Sequence, residues 1–256
     1  DRQWVLFTDA DILHPTSSIG RLMSKAVTGD YDLVSVMVRL RARSFWEQLL
    51  FPPFTYFFQL IYPFKRASDP ASGVAAAAGG CILVRRSFIE EIGGLDAIQS
   101  RLIDDVALAR AVKKAGGRCW LGLDPDMSSI RTYVELPQII RMVSRTAFEQ
   151  LGYHYALVPL VLLALLVLVV GPPVLLIAAA AMLDPYVASA GLAAWLMQSA
   201  HFLAVVQYLG ASSGFALTLP IAGILYGYMV VASVFRHLAG RDPSWREDIE
   251  TESSGV

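Results

Sequence analysis

Residues 4–15 read WVLFTDADILHP, an apolar run that ends in a threonine and then two carboxylates one residue apart. Trp4 to Phe7 is continuous, apolar, β-prone and too short for a helix, so a buried strand is expected there. A strand covered on both faces belongs to an α/β sheet, where ligands bind beyond the carboxyl ends of the strands. Asp9 and Asp11 sit at that end. Alternate residues of an extended segment point the same way, so both carboxylates can face one ligand. Two like charges held that close are unfavourable unless a cation neutralises them, and hard divalent ions prefer oxygen ligands. The plainer alternative is a polar turn, with Thr16, Ser17 or Ser18 capping a helix around residues 19–26.

The 256 residues are 55% hydrophobic and 17% charged with a net charge of −1, an average that hides a division. Residues 150–235 carry a single formal charge, Asp184; the rest has the charge density of an ordinary soluble domain. A membrane span needs roughly 20 apolar residues. Three segments qualify: residues 155–183, interrupted by Gly171-Pro172-Pro173, residues 186–209, and residues 215–235. Near-neutral charge without a long basic run gives no sign of a nucleic-acid partner. Orientation poses a conflict. Arg131, Arg141 and Arg145 precede the first span, and Arg236, Arg241 and Arg246 follow the last. The positive-inside rule puts both ends on the cytoplasmic side, whereas three crossings put them on opposite sides. Either the Gly-Pro-Pro break makes the first segment a re-entrant hairpin, or one basic end breaks the rule.

Gln198 and His201 lie three residues apart in the second apolar segment, where polar groups usually hydrogen-bond to neighbouring helices; packing with a neutral imidazole is the expectation. Cys81 and Cys119 have no metal-ligand spacing and read as reduced cytoplasmic thiols. His14 has no partner cluster and reads as structural. The chain starts without Met on what is expected to be an inner strand, and reads as lacking the N-terminal half of a doubly wound sheet.

Further constellations lie between the acidic turn and the spans. In VAAAAGGCILVRR (residues 74–86), Gly79 and Gly80 allow close backbone approach to a ligand before a second buried strand. Arg85 and Arg86 are either phosphate contacts or a solvated strand end. Residues 87–92 are helical, closed by Gly93-Gly94. RLIDDVALARAVKKAGGR (residues 101–118) opens an amphipathic helix with Asp104 and Asp105 and closes it with Gly116-Gly117. Acids in a first turn suit the helix dipole, and a carboxylate there can equally act as a general base. The aromatic, proline-interrupted residues 43–64 suit a bilayer interface, with a core insertion as the alternative. LPQIIRMVSRTAFEQLGY (residues 136–153) reads as a basic amphipathic helix with Arg141 and Arg145 on one face.

In this order the motifs FTDADILHP, AAAAGGCILVRR, LIDDVALARAVK and RMVSRTAFEQL resemble the membrane-bound family-2 glycosyltransferases of GT-A fold, most of all the hopene-associated ones. The resemblance implies an α/β GT-A-like fold, represented by the C-terminal half of its catalytic domain, followed by an all-α transmembrane region of about three helices. Residues 1–135 are the partial catalytic domain, 136–153 an interfacial helix, 154–236 the membrane helices and 237–256 a polar tail. It implies a nucleotide-sugar donor, a lipid acceptor and a divalent metal, Mg²⁺ or Mn²⁺, held by Asp11 and Asp9. Asp105, the second member of the Asp104-Asp105 pair, is the implied base for an inverting transfer. Gly79, Gly80, Gln138, Arg141 and Arg145 are the implied donor or acceptor contacts. Gln138-Ile139-Ile140-Arg141 follows the family's Q-x-x-R-W pattern, with Met142 in place of Trp. The implied location is a bacterial inner membrane with a cytoplasmic catalytic domain. A processive polysaccharide synthase and a non-catalytic membrane scaffold are the alternatives; the few spans count against the first and the intact acids against the second.

Overall fold

The computed structural model describes residues 3–94 and 104–240. The chain forms two compact units, residues 1–43 with 54–132 and residues 44–53 with 133–256.

The first unit is built on a mixed five-stranded sheet ordered β1-β4-β3-β5-β2. Its strands are β1 (Trp4–Thr8), β2 (Ile12–Leu13), β3 (Leu33–Arg39), β4 (Cys81–Arg85) and β5 (Cys119–Ser129). Strand β3 is buried along nearly its whole length, as its run LVSVMV requires of a central strand. It pairs parallel with β5 and antiparallel with β4. Alternate side chains serve opposite faces. Val34, Val36 and Val38 meet Leu22 and Ala26 of α1 (Ser18–Thr28), while Leu33 meets Leu108, Ala109 and Val112 of α5 (Asp104–Lys114). Among the described residues β1 stands at the sheet edge, is only half-buried and pairs antiparallel with β4 alone. An apolar run this short specifies a strand but not its neighbours.

Gly80 is explained by packing. A Cβ there would come within 2.7 Å of Val38 Cγ2, so the close approach it allows is to a neighbouring strand. Cys81 and Cys119 are free and buried. Burial pushes the Cys81 thiol up to about 11, with help from the Asp124 charge. Burial pushes Cys119 to about 12, opposed by Lys113 and assisted by Asp32. Both thiols stay neutral at physiological pH.

The 17-residue helix α2 (Phe45–Ile61) contributes its first turns to the second unit and its remainder to the first. Its start is a capping box: Glu47 N–H donates to Ser44 Oγ, and Ser44 N–H donates to Glu47 Oε2. Glu47 is buried, and its Oε1 accepts from Tyr133 N–H at 2.7 Å. Leu49, Leu50 and Phe51 are buried, while Phe45, Leu60 and Ile61 are exposed, so the middle of the expected interfacial segment is core. The short helices α3 (Phe64–Ser68) and α4 (Arg86–Glu91) complete the first unit.

The second unit continues with α6 (Leu136–Gln150), α7 (Leu157–Ala164), a π-helical turn over Leu165–Val170, α8 (Gly171–Ala181), α9 (Pro185–Tyr208), a 3₁₀ turn over Ser213–Thr218 and α10 (Leu219–Leu238). Three of its helical stretches are long and apolar enough to cross a membrane: Leu157–Ala181, Pro185–Tyr208 and Ser213–Leu238. The first runs on through Gly171-Pro172-Pro173 and forms no hairpin of its own. Proline lacks the N–H that would bond the carbonyl four residues earlier, which for Pro172 is Leu168. Gln198 Nε2 of α9 donates to that carbonyl at 2.9 Å, so this polar residue meets a backbone gap in the facing helix. Asp184 caps α9 by accepting from Tyr186 N–H and Val187 N–H.

Candidate active site at one end of the sheet

The strand registers bring several sequence-distant segments to one end of the sheet. Thr8 opposes Cys81, and β3 is antiparallel to β4 but parallel to β5. The carboxyl ends of β1, β3 and β5 therefore share an edge with the amino end of β4. Asp9 and Asp11 follow β1 at that edge, and Gly79-Gly80 lead into β4 there.

Gly80 ties the acidic turn down. Its carbonyl accepts from Thr8 Oγ1 at 3.0 Å and from Asp9 N–H at 3.4 Å. His14 Nε2 lies 2.7 Å from Thr8 Oγ1 and shares a hydrogen bond with it. His14 Nδ1 is buried and without a hydrogen-bond partner among the described residues. Asp9 is exposed and Asp11 half-buried. Asp11 Oδ2 accepts from Ser129 Oγ at 2.5 Å, and Asp11 C=O accepts from Ile130 N–H at 2.8 Å, so the end of β5 fixes this carboxylate.

Gly79 faces the second acidic centre. A Cβ on it would lie 3.3 Å from Asp105 Oδ2. Asp105 Oδ1 accepts from Val106 N–H at 2.7 Å in the first turn of α5, which aims the other oxygen toward Gly79. The Asp9–Asp11 turn and Asp105 thus flank the same glycine pair. Asp104 begins α5, and its side chain falls outside the described set, as do residues 95–103 and the tail from 241 that holds Trp245 and Arg246.

Two polar side chains hold the loop that carries Gly79. Buried Ser35 of β3 accepts from Ala78 N–H at 2.8 Å and donates to Ala78 C=O at 3.2 Å, acting as a strand neighbour where none pairs. Lys113 Nζ donates to the carbonyls of Val74 at 2.6 Å, Asp69 at 2.7 Å and Ala67 at 3.3 Å. Ser129, Ser35 and Lys113 were not singled out in the sequence. Their partners lie 118, 43 and 39 to 46 residues away, beyond any local pattern.

The remaining expected contacts fall elsewhere. Arg85 pairs with Asp32 at 2.8 Å and Arg86 with Glu90 at 2.9 Å, at the opposite end of β4 from Gly80, which removes both as phosphate contacts at this site. Gln138, Arg141 and Arg145 are on α6 in the second unit. Gln138 serves as a capping residue, its Oε1 accepting from Glu135 N–H at 3.2 Å. Arg141 is exposed and Arg145 half-buried.

Among the described residues no group of three His, Cys, Asp or Glu side chains is placed to enclose a metal. Asp9 and Asp11 supply two carboxylates on one turn. That donor set fits a hard cation of the Mg²⁺ kind, which usually takes one or two protein carboxylates and completes its shell with water and substrate phosphate.

The chain that carries this acidic turn at the end of a mixed sheet also has three helical stretches long and apolar enough to cross a membrane. The chain matches glycosyl transferase family 21 over residues 2–251, nearly its whole length; it belongs to this family and is a glycosyltransferase. The motif resemblance pointed to family 2, and the match names family 21. No curated protein matches the chain.

Proposed function

We propose that this glycosyltransferase moves a sugar from a nucleotide-sugar donor to the hydroxyl of a membrane lipid, with inversion at the sugar carbon. One observation carries the reading. The Asp9–Asp11 turn bonds to Gly80 and Asp105 lies against Gly79, so both acidic segments flank one glycine pair at the end of the sheet where α/β folds bind ligands. The sheet with its acidic turn supports a GT-A-like catalytic domain.

Asp105 is the proposed general base. It takes the proton of the acceptor hydroxyl as that oxygen bonds to the anomeric carbon, and the bond from that carbon to the donor diphosphate breaks. The nucleoside diphosphate leaves with both electrons of that bond. Asp11, oriented by Ser129, and Asp9 are the proposed holders of Mg²⁺ or Mn²⁺; bound there, the ion offsets charge on the leaving diphosphate. Gly79 keeps space beside Asp105 free of a side chain. Arg141 and Arg145 are the proposed α6 contacts for donor or acceptor.

The membrane-length helices favour a lipid acceptor, and a hopanoid alcohol is one acceptor of suitable chemistry. We place the catalytic unit in the cytoplasm of a bacterial cell, beneath the inner membrane. The test is binding of a sugar-nucleotide panel to the full-length protein in detergent, with and without Mn²⁺, followed by transfer to extracted lipids. Saturable, metal-dependent donor binding that Asp11→Ala abolishes supports the assignment. Binding of no sugar nucleotide by the folded protein overturns it.

A further inference from the structure

We infer that the chain crosses the bilayer twice and not three times, with the third apolar stretch forming a re-entrant hairpin that enters and leaves by the same face. Helix directions carry the argument. Along the first helix, Leu157–Ala181, α9 runs antiparallel: a Cβ on Gly191 would meet Leu176 N at 2.6 Å and Pro172 O at 3.0 Å, and farther along Gln198 bonds to Leu168. Helix α10 is antiparallel to the same helix. Gly223 abuts Val169, Gly227 abuts Leu162, and the His237 ring lies 4.8 Å from that of Tyr153, ahead of Leu157. Two helices antiparallel to a common neighbour run in the same direction. Consecutive helices can do so only if the chain between them turns back.

The 3₁₀ turn Ser213–Thr218 makes that return. Ala211 N–H donates to Val206 C=O at 3.1 Å, which holds the chain at the end of α9. Six residues later Trp195 Nε1 donates to Leu217 C=O at 3.2 Å, near the middle of α9. The separation along α9 from Val206 to Trp195 is about 16 Å at ~1.5 Å per residue. Six residues of 3₁₀ helix recover about 12 Å of it. Helix α10 then descends from mid-depth to the end at which it meets Tyr153. Its surroundings agree: half of its apolar stretch, 50%, is buried in protein, against 6% for the first helix.

A separate set of contacts places the turn at residues 210–212. Between Tyr133 and Leu157 no apolar stretch of spanning length intervenes, so Tyr133 is on the entry side of the first helix. Glu47 accepts from Tyr133 N–H, and neighbouring Gln48 Oε1 accepts from Ser212 N–H at 2.9 Å. Ser212 is therefore on the entry side, where α9 ends. Arg141 and Arg145 then share a face with Arg236, as the positive-inside rule asks of short flanking segments. Among the described residues of the second unit, only the connection at residues 182–184 reaches the far side.

The inference is independent of the chemistry at the sheet edge. Its test is single-cysteine labelling of the full-length protein in sealed vesicles of defined orientation with a membrane-impermeant maleimide. The positions are Met182→Cys, Ser212→Cys and Ala239→Cys, all exposed, and the buried Cys81 and Cys119 give little background. Labelling of all three after detergent solubilisation shows that each is reactive. Two crossings predict that Ser212→Cys and Ala239→Cys react from one side and Met182→Cys from the other. Reaction of Ser212→Cys and Ala239→Cys from opposite sides, or of Ser212→Cys from neither, overturns the inference. Glycosylation-site insertion at residues 182 and 212 gives the same answer without cysteine.

Discussion

The two units use the same device for opposite reasons. In the first, polar side chains bond to backbone that the sheet leaves unpaired: Ser35 to Ala78, and Lys113 to three carbonyls of the loop before Gly79. Those bonds fix the path of a loop that forms no strand of its own. In the second unit Gln198 reaches a carbonyl that Pro172 leaves without a donor, amid apolar residues where water cannot substitute. There the bond removes a penalty. Polar contacts near the candidate site are thus expected to matter for turnover, and those among the apolar helices for stability.

The largest expected effect sharpens the first half of that contrast. Asp105→Asn should lower transfer by about 10²–10⁴-fold, the usual range for a general base, with donor affinity nearly unchanged. Steady-state turnover beside equilibrium donor binding measures both; equal loss of the two would deny Asp105 a role confined to the reaction. Lys113→Met should destabilise by about 2 kcal/mol, because a charged donor to several carbonyls is removed. Its turnover should fall further than the change in folded fraction explains, as the loop carrying Gly79 loosens.

In the second unit, Gln198→Leu should destabilise by roughly 0.6–1.7 kcal/mol, seen as earlier unfolding in detergent, with turnover per folded molecule unchanged. A turnover defect there would break the comparison. The smallest effect concerns the thiols. Cys81 and Cys119 titrate at about 11 and 12 in the folded chain against an ordinary value of 9.0. Folding therefore retains protons that the unfolded chain releases. The stabilisation is complete below pH 9 and declines as pH rises through 11 to 12. Cys119→Ala should flatten the fall in melting temperature between pH 9 and 11 relative to the parent chain.

How far the sequence could be read follows from the range of the interactions involved. The apolar helices were legible because composition over 20 residues decides them, and their limits moved by only a few residues. The acidic turn was legible because Asp9 and Asp11 follow a strand directly. The sheet position of β1 was not, since antiparallel pairing with β4 is settled 73 residues later, at Cys81. Gly80 reads as space for a ligand, and its contact with Val38 of a neighbouring strand was not legible locally. Residues 43–64 looked uniformly aromatic, yet the contacts of Glu47 and Gln48 with Tyr133 and Ser212 divide the segment between two units.

That division has a practical side. A shortened gene ending at Thr132 is the obvious route to try for a water-soluble product for crystallisation or screening. Such a product would still carry the ten residues Ser44–Pro53, with Leu49, Leu50 and Phe51 stripped of their covering and the Glu47 carboxylate without Tyr133. It should be sticky and short-lived during purification. Polar replacements at those three apolar positions, made together with the cut, are the engineering change that the split of α2 calls for.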